Sequence, residues 1–358
     1  APPLVEPSEG GTVVTVTSGK GGVGKTTTSA SLAMGLANRG FRVAALDFDI
    51  GLRNLDLHLG CERRIVFDFV NVINGECKLH QALIKDRHQP NLHMLAASQT
   101  REKEALKPEG VAEIISQLRS EFDYVVCDSP AGIEHGAQQA MFHADIALVC
   151  TNPELSSVRD SDKMISIIQS KSRRAEEQRD PVQQYLLITR YEAEKVVGEA
   201  MLSAADIQEM LGIPLLGVVP EGEEVLKSTN LGRPVITQGA ECDTGAAYED
   251  VVKRFLGEEC PLRFTQPKEK GFLSGLFGKW HLGTLSPRFS GKGEGRKAEK
   301  NFMSPGMAGF GEWFASEFSI ATYDPYKPEN GHCQAARRGD MRALFWHNGK
   351  PLSKPLTG

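Results

Sequence analysis

Gly19-Lys20-Gly21-Gly22-Val23-Gly24-Lys25-Thr26-Thr27 decides how this chain folds. Gly19 through Thr26 fits the phosphate-loop pattern G-x-x-x-x-G-K-[ST]. The residues before it, Thr12 to Ser18, alternate and are rich in β-branched side chains, as a strand requires. The residues after it, Thr26 to Asn38, read as a helix that stops at Gly40. Strand, glycine loop and helix start are what phosphate binding needs. Glycines let backbone N–H groups crowd around the phosphates, and the helix N-terminus adds partial positive charge. Lys25 answers the phosphates of a nucleotide in its own loop. Lys20 is a second cation in the same loop and points to a nucleotide reached from another direction, across a dimer interface.

Outward from the loop, Arg42 to Phe48, Leu92 to Ala96, Asp123 to Asp128, Asp145 to Thr151, Tyr185 to Thr189 and Leu215 to Val219 read as short apolar strands. Helical patterns lie at 108–119, 134–143, 154–171, 203–211 and 243–256. This alternation predicts an α/β fold: a mostly parallel, twisted sheet with helices on both faces. Ligands of such sheets sit beyond the carboxyl ends of the strands, where the glycines and several acids fall.

Each need of phosphoryl transfer has a candidate. Backbone N–H groups from Gly21, Gly22, Val23, Gly24, Lys25, Thr26 and Thr27 cradle the phosphates, and the Thr26 hydroxyl is a Mg²⁺ ligand. Asp128 ends a buried strand where an acid contacts Mg²⁺; a helix or turn cap is the plain alternative. Ser129 to Gly132 after it is a small turn able to report a γ-phosphate. Asp47 and Asp49 end the second strand. Asp49 is assigned to orient the attacking water and Asp47 to stand nearer the metal, with turn capping as the alternative for each.

Composition is that of an ordinary globular chain. The net charge of −5 is uneven: 11 Lys and Arg against 7 Asp and Glu after Trp280 make that tail +4 and leave −9 for residues 1–280. This argues against a nucleic-acid partner. No run approaches the ~18 apolar residues of a membrane span. The seven cysteines form no C-x-x-C pair and read as free thiols.

Phe272, Leu273, Leu276, Phe277 and Trp280 recur on one helical face, flanked by Lys268, Lys270 and Lys279. Such a helix lies in an anionic bilayer interface; packing on the protein's own core is the alternative. One copy binds weakly and two in a dimer bind through avidity. The domains expected are residues 1–11 without structure, a P-loop domain over 12–260, a linker and amphipathic helix over 261–280, and a tail without structure over 281–358. The Pro-rich start at Ala1 lacks a methionine, which a cleaved targeting peptide accounts for, as does a truncated chain.

Several stretches together resemble the MinD family, division-site-placing ATPases of the deviant Walker-A group. They are Gly19 to Thr27, Asp47 to Asp56, Gly60 to Arg64, Cys127 to Glu134, Thr151 to Glu154, Ser156 to Asp162, Ser170 to Glu176 and Leu187 to Tyr191. The likeness runs from about Val13 to about Gly278. It implies ATP and Mg²⁺ as ligands and an ATP-bound sandwich homodimer in which Lys20 reaches the partner's nucleotide. It also implies Asp49 as the acid tied to hydrolysis and an adenine held near Arg190, Pro220 and Glu221. Asp160 and Asp162 match the surface for a MinE-like activator and a MinC-like inhibitor; by themselves they are acids on a solvated helix. The family has plastid-division members, so the plastid stroma and inner envelope is the expected location, with the bacterial cytoplasm and inner cell-membrane face as the alternative. Competing readings are a ParA-like DNA-partitioning ATPase, a reductase iron-protein and a nucleotide-dependent membrane scaffold.

Overall fold

The computed structural model describes residues 10–101 and 105–267, together with the backbone of three short strands between 319 and 351. Residues 1–268 and 269–358 are separate units. The amphipathic segment Phe272–Trp280 lies outside the described residues.

The first unit is built on eight strands: β1 Thr12–Thr17, β2 Val43–Asp47, β3 Ile84–Lys85, β4 Leu92–Leu95, β5 Tyr124–Asp128, β6 Ile146–Thr151, β7 Gln183–Tyr191 and β8 Leu215–Pro220. Their order is β3-β4-β2-β5-β1-β6-β7-β8, all parallel except the β3–β4 pairing. β1 sits between β5 and β6, with β2 to β5 filling one half of the sheet and β6 to β8 the other. The loop after β1 therefore opens at the switch point where open parallel sheets bind ligands. Register brings the acids to the same edge: Asp47 is level with Asp128 across β2 and β5, and Val16 with Asp128 across β1 and β5.

Alternate residues face opposite layers, and both layers are dry. Val14, Val16, Ala45, Val126 and Leu148 pack under the helices Lys25–Asn38 and Asp243–Phe255. Val13, Leu46 and Val125 on the other face meet the helix Pro108–Glu121, and Ala147, Val149 and Leu186 meet Leu155–Lys171 and Ala204–Leu211. The expected parallel sheet with helices on both faces is what the chain forms.

Periodicity does not foresee residues 55–82. Leu55–His58, Phe69–Ile73 and Leu79–Ala82 are helices of four or five residues, too short for a 3.6-residue pattern. The linker expected from 261 is partly tied down as well. Arg254 donates to the carbonyls of Leu216 (2.8 Å) and Pro261 (2.7 Å), and Arg263 pairs with Asp250. Within the tail expected to lack structure, β9 Ser319–Ile320, β10 Phe345–His347 and β11 Lys350–Pro351 form an antiparallel sheet in the order β11-β10-β9. The sequence between β10 and β11 is Asn348-Gly349, the pair that most favours a two-residue hairpin.

His143, at the end of the helix His135–Phe142, is 7% exposed. Burial, with Arg173 and Arg119 nearby, holds its pKa down to about 4. The unfolded chain binds a proton there below about pH 6.5, while the fold resists until about pH 4, so stability is lost as pH falls through that window. The loss is on the order of 3 kcal/mol when complete. Urea unfolding at both ends of the window should show a smaller acid loss in His143→Gln than in the parent chain.

Candidate active site

The loop after β1 turns through left-handed backbone at Gly22 (φ 75°) and Gly24 (φ 85°), with nothing within 4 Å of where a Cβ would stand on either. Gly24 precedes the helix Lys25–Asn38, whose first intrahelical bond runs from Thr28 N to the Gly24 carbonyl (2.9 Å). The N–H groups of the first turn have no carbonyl one turn earlier, which leaves a donor-rich pocket at a helix N-terminus. Gly19 is required by contact: a Cβ there would lie 2.4 Å from the backbone of Asp160.

Tertiary bonds set the loop's shape. Thr189 Oγ1, at the end of β7, donates to the Val23 carbonyl (2.6 Å) and lies 3.1 Å from Asn152 Oδ1. Ser18 Oγ donates to the Lys20 carbonyl (2.6 Å) and receives the buried Lys25 ammonium (2.9 Å). Burial lowers the Lys25 pKa, against the opposing pull of Asp128, Cys150 and Asp49. A desolvated ammonium of this kind gains by meeting an anion. The Ser129–Gly132 turn lies beside the loop, with Gly132 N on the Ser18 carbonyl (3.2 Å) and Ser129 Oγ on Thr17 Oγ1 (3.0 Å).

Asp128 is fully buried at the end of β5 and accepts from Ser29 Oγ (2.8 Å) and from the Thr26 hydroxyl. Burial pushes its carboxyl above the usual range, while those bonds and Lys25 pull it back. Asp47, level with it, is also fully buried and pushed up by burial and by the charge of Asp128. Its oxygens accept from three backbone donors: Asp49 N (2.8 Å), Asn54 N (3.1 Å) and Leu55 N (3.1 Å). Both of its oxygens cap the turn that follows β2, which is the alternative weighed for it. Asp49 stands half-buried on that capped turn, and its carbonyl receives Arg53 N (3.0 Å).

Lys20 is 39% exposed and pairs within its own chain, with Glu154 Oε2 at 2.7 Å and Ser156 Oγ at 3.4 Å. Arg190 takes a left-handed backbone (φ 55°), pairs with Glu221 (2.7 Å) and donates to the Gly22 carbonyl (3.3 Å). Tyr191 is level with Pro220, so Arg190, Pro220 and Glu221 meet at one rim of the loop. Asp160 and Asp162 lie on the helix Leu155–Lys171, Asp162 exposed and Asp160 paired with Lys163 (3.6 Å). The same turn of that helix touches Gly19.

Motif reading missed Ser18, Ser29, Asn152, Thr189 and the Lys20 partner Glu154. Thr189 and Asn152 do fall at strand ends, a position that marks candidates without assigning a role.

Among the described residues no group of three or more His, Cys, Asp and Glu is placed to hold a metal ion by itself. Mg²⁺ shared with phosphates needs only one or two protein oxygens, and the Thr26 hydroxyl beside the Asp128 carboxylate fits that need. A left-handed glycine loop, a buried lysine at a helix start and an acid at the neighbouring strand end define a P-loop nucleotide hydrolase of the deviant Walker-A type.

Comparison with known proteins narrows this. A family model described as an AAA domain matches residues 11–179. The septum site-determining protein MinD of Escherichia coli K12 is 55% identical over 267 residues, covering 74% of this chain and 98% of that protein. A MinC:MinD cell division protein complex from Aquifex aeolicus aligns with TM-score 0.62 and 37% identity over 71% of this chain and 99% of that one. MinD from Pyrococcus horikoshii complexed with Mg-ADP gives TM-score 0.60 and 27% identity over 68% and 95%. The chain belongs to the MinD family of P-loop ATPases.

Proposed function

We propose that this protein is an ATP-driven switch that places a division site by dimerising on ATP, binding an anionic membrane surface and recruiting division regulators. The observation that carries the reading is the second loop lysine, Lys20, in a chain 55% identical to the Escherichia coli septum site-determining protein. In this reading Lys25 answers the phosphates of its own loop and Lys20 serves a nucleotide held by a second copy.

In this reading the N–H groups of Gly21 to Thr27 cradle the phosphates, and Lys25 neutralises the β/γ oxygens. Thr26 and Asp128, with Asp47 on the metal side, would hold Mg²⁺, which would supply charge neutralisation to the phosphates. Asp49 orients the attacking water, aided by the turn that Asp47 caps. Arg190, Pro220 and Glu221 flank the adenine. In each copy Lys20 leaves Glu154 to meet the partner's phosphates.

Asp160 and Asp162 form the surface for a MinE-like activator and a MinC-like regulator. The similarity to MinD of the MinC:MinD complex from Aquifex aeolicus supports a MinC-like partner, whatever surface it uses. Gly19 against Asp160 gives such a partner a short route to the loop. Phe272, Leu273, Leu276, Phe277 and Trp280 supply the anchor, doubled on dimerisation. No nucleic acid is required by this scheme. The location that fits this scheme is the stromal face of a plastid inner envelope, with the inner face of a bacterial cell membrane as the alternative.

Co-sedimentation with anionic liposomes tests the scheme. Binding with ATP and its absence with ADP or without nucleotide is the expected pattern. Equal absence in all three removes the anchor from the mechanism and turns the search to DNA and soluble partners.

A further inference from the structure

The half-buried ring of His58 stands between the phosphate loop and the turn that carries Asp49. Its Nδ1 lies 3.1 Å from the Asn54 carbonyl oxygen, and its Nε2 lies 3.2 Å from Thr27 Oγ1. A carbonyl only accepts, so Nδ1 carries the ring hydrogen. In the neutral ring Nε2 is then a bare acceptor, and Thr27 donates its hydroxyl hydrogen to it. A phosphate oxygen at the start of this helix is an acceptor too. Both want the single hydrogen of Thr27.

We infer that His58 is a positioning residue for the phosphate site, which takes up a proton when nucleotide binds and so frees the Thr27 hydrogen for a phosphate oxygen. The inference rests on reading the loop as a nucleotide site. The proton comes from solvent and enters at Nε2. Nε2–H then donates to Thr27 Oγ1, and Thr27 keeps its own hydrogen. No bond between heavy atoms changes.

The surroundings suit this exchange. Burial holds the ring's pKa below the ordinary imidazole value, while the Asn54 carbonyl and Asp56 raise it. Asp56 shares the helix Leu55–His58 and pairs with Arg53 at 2.8 Å. The helix Lys25–Asn38 presents the Thr27 hydroxyl to the ring. The helix Glu224–Asn230 packs on Leu55–His58 and carries Glu224 and Lys227. An arriving phosphate adds negative charge and raises the ring's pKa further. A bound-state pKa above the free-state value means affinity tightens as pH falls between the two, and is flat outside that window.

The test compares the full chain with His58→Gln, using Mg-ADP as the probe. Dissociation constants are measured at about pH 5.5 and about pH 8, spanning the histidine range. The parent chain should gain up to about tenfold more affinity on acidification than the variant, tenfold being one unit of pKa displacement. The subtraction removes the titration of ADP itself and of the other site groups. NMR titration of the ring, assigned by its loss in the variant, should give a higher pKa with Mg-ADP than without. Parallel pH slopes, or a ring pKa that does not rise, overturn the inference while nucleotide binding stands. No binding of Mg-ADP at any pH overturns the nucleotide reading beneath it. Should the variant fail to fold, the His58 ring signal is assigned in the parent chain by through-bond connection to its own backbone, and its titration decides alone.

Discussion

Lys25→Ala is expected to cut ATP hydrolysis by at least ~10²-fold, since a preorganised charge facing developing phosphate charge is worth that much or more. The Lys25 ammonium is buried, is held by Ser18 Oγ and lies under the electrostatic influence of Asp128. Its removal takes away the desolvated cation while leaving the Gly22 and Gly24 backbone that shapes the cradle. The folded chain without nucleotide should not lose stability, because a buried charge whose pKa is depressed by burial is itself a cost to the fold. Thermal unfolding and turnover read together therefore separate the two effects. The expected result is an unchanged or raised Tm without nucleotide, a smaller rise on adding Mg-ATP, and loss of hydrolysis. Turnover within tenfold of the parent chain would sink the assignment.

Lys20→Ala is expected to behave differently. Nucleotide binding by the single copy should persist within a few-fold, whereas ATP-dependent dimerisation and partner-stimulated turnover should be lost. The magnitudes permit the distinction. Lys20 and Glu154 are 39% and 52% exposed, and a pair of that kind contributes less than ~1 kcal/mol. A large loss of stimulated activity could not then come from destabilising the fold. Light scattering with ATP and with ADP measures the dimer, and a stimulated ATPase assay measures turnover. Normal stimulated turnover in this variant would falsify the cross-dimer role. Glu154→Gln is the useful companion, since it releases Lys20 without deleting it.

Much of the fold was legible because its signals are local. The strands around the phosphate loop are runs of β-branched residues, and the helix Pro108–Glu121 begins at the expected proline with its apolar residues at helical spacing. Asp128 came from the same kind of signal, an acid closing an apolar run. Asp47 did not resolve that way. Its sequence context suits a metal-side acid, with a turn cap as the alternative, and only the fold shows that the N–H groups of Asn54 and Leu55 point at it after the chain has turned. His58 shows the same limit more sharply, because its importance lies in touching Thr27, 31 positions earlier.

Sequence alone therefore determined that this chain builds a mostly parallel α/β sheet, that a phosphate loop opens from its first strand, and that a second lysine stands in that loop. Each follows from residue types at short, regular spacing, where steric and hydrogen-bonding preferences act between near neighbours. Tertiary structure alone decided which groups hold the loop in shape. Thr189 reaches the Val23 carbonyl across 166 positions, Lys20 reaches Glu154 across 134, and Ser29 reaches Asp128 across 99. Those partners are set by the order in which strands pair, and strand order is a property of the whole packed sheet.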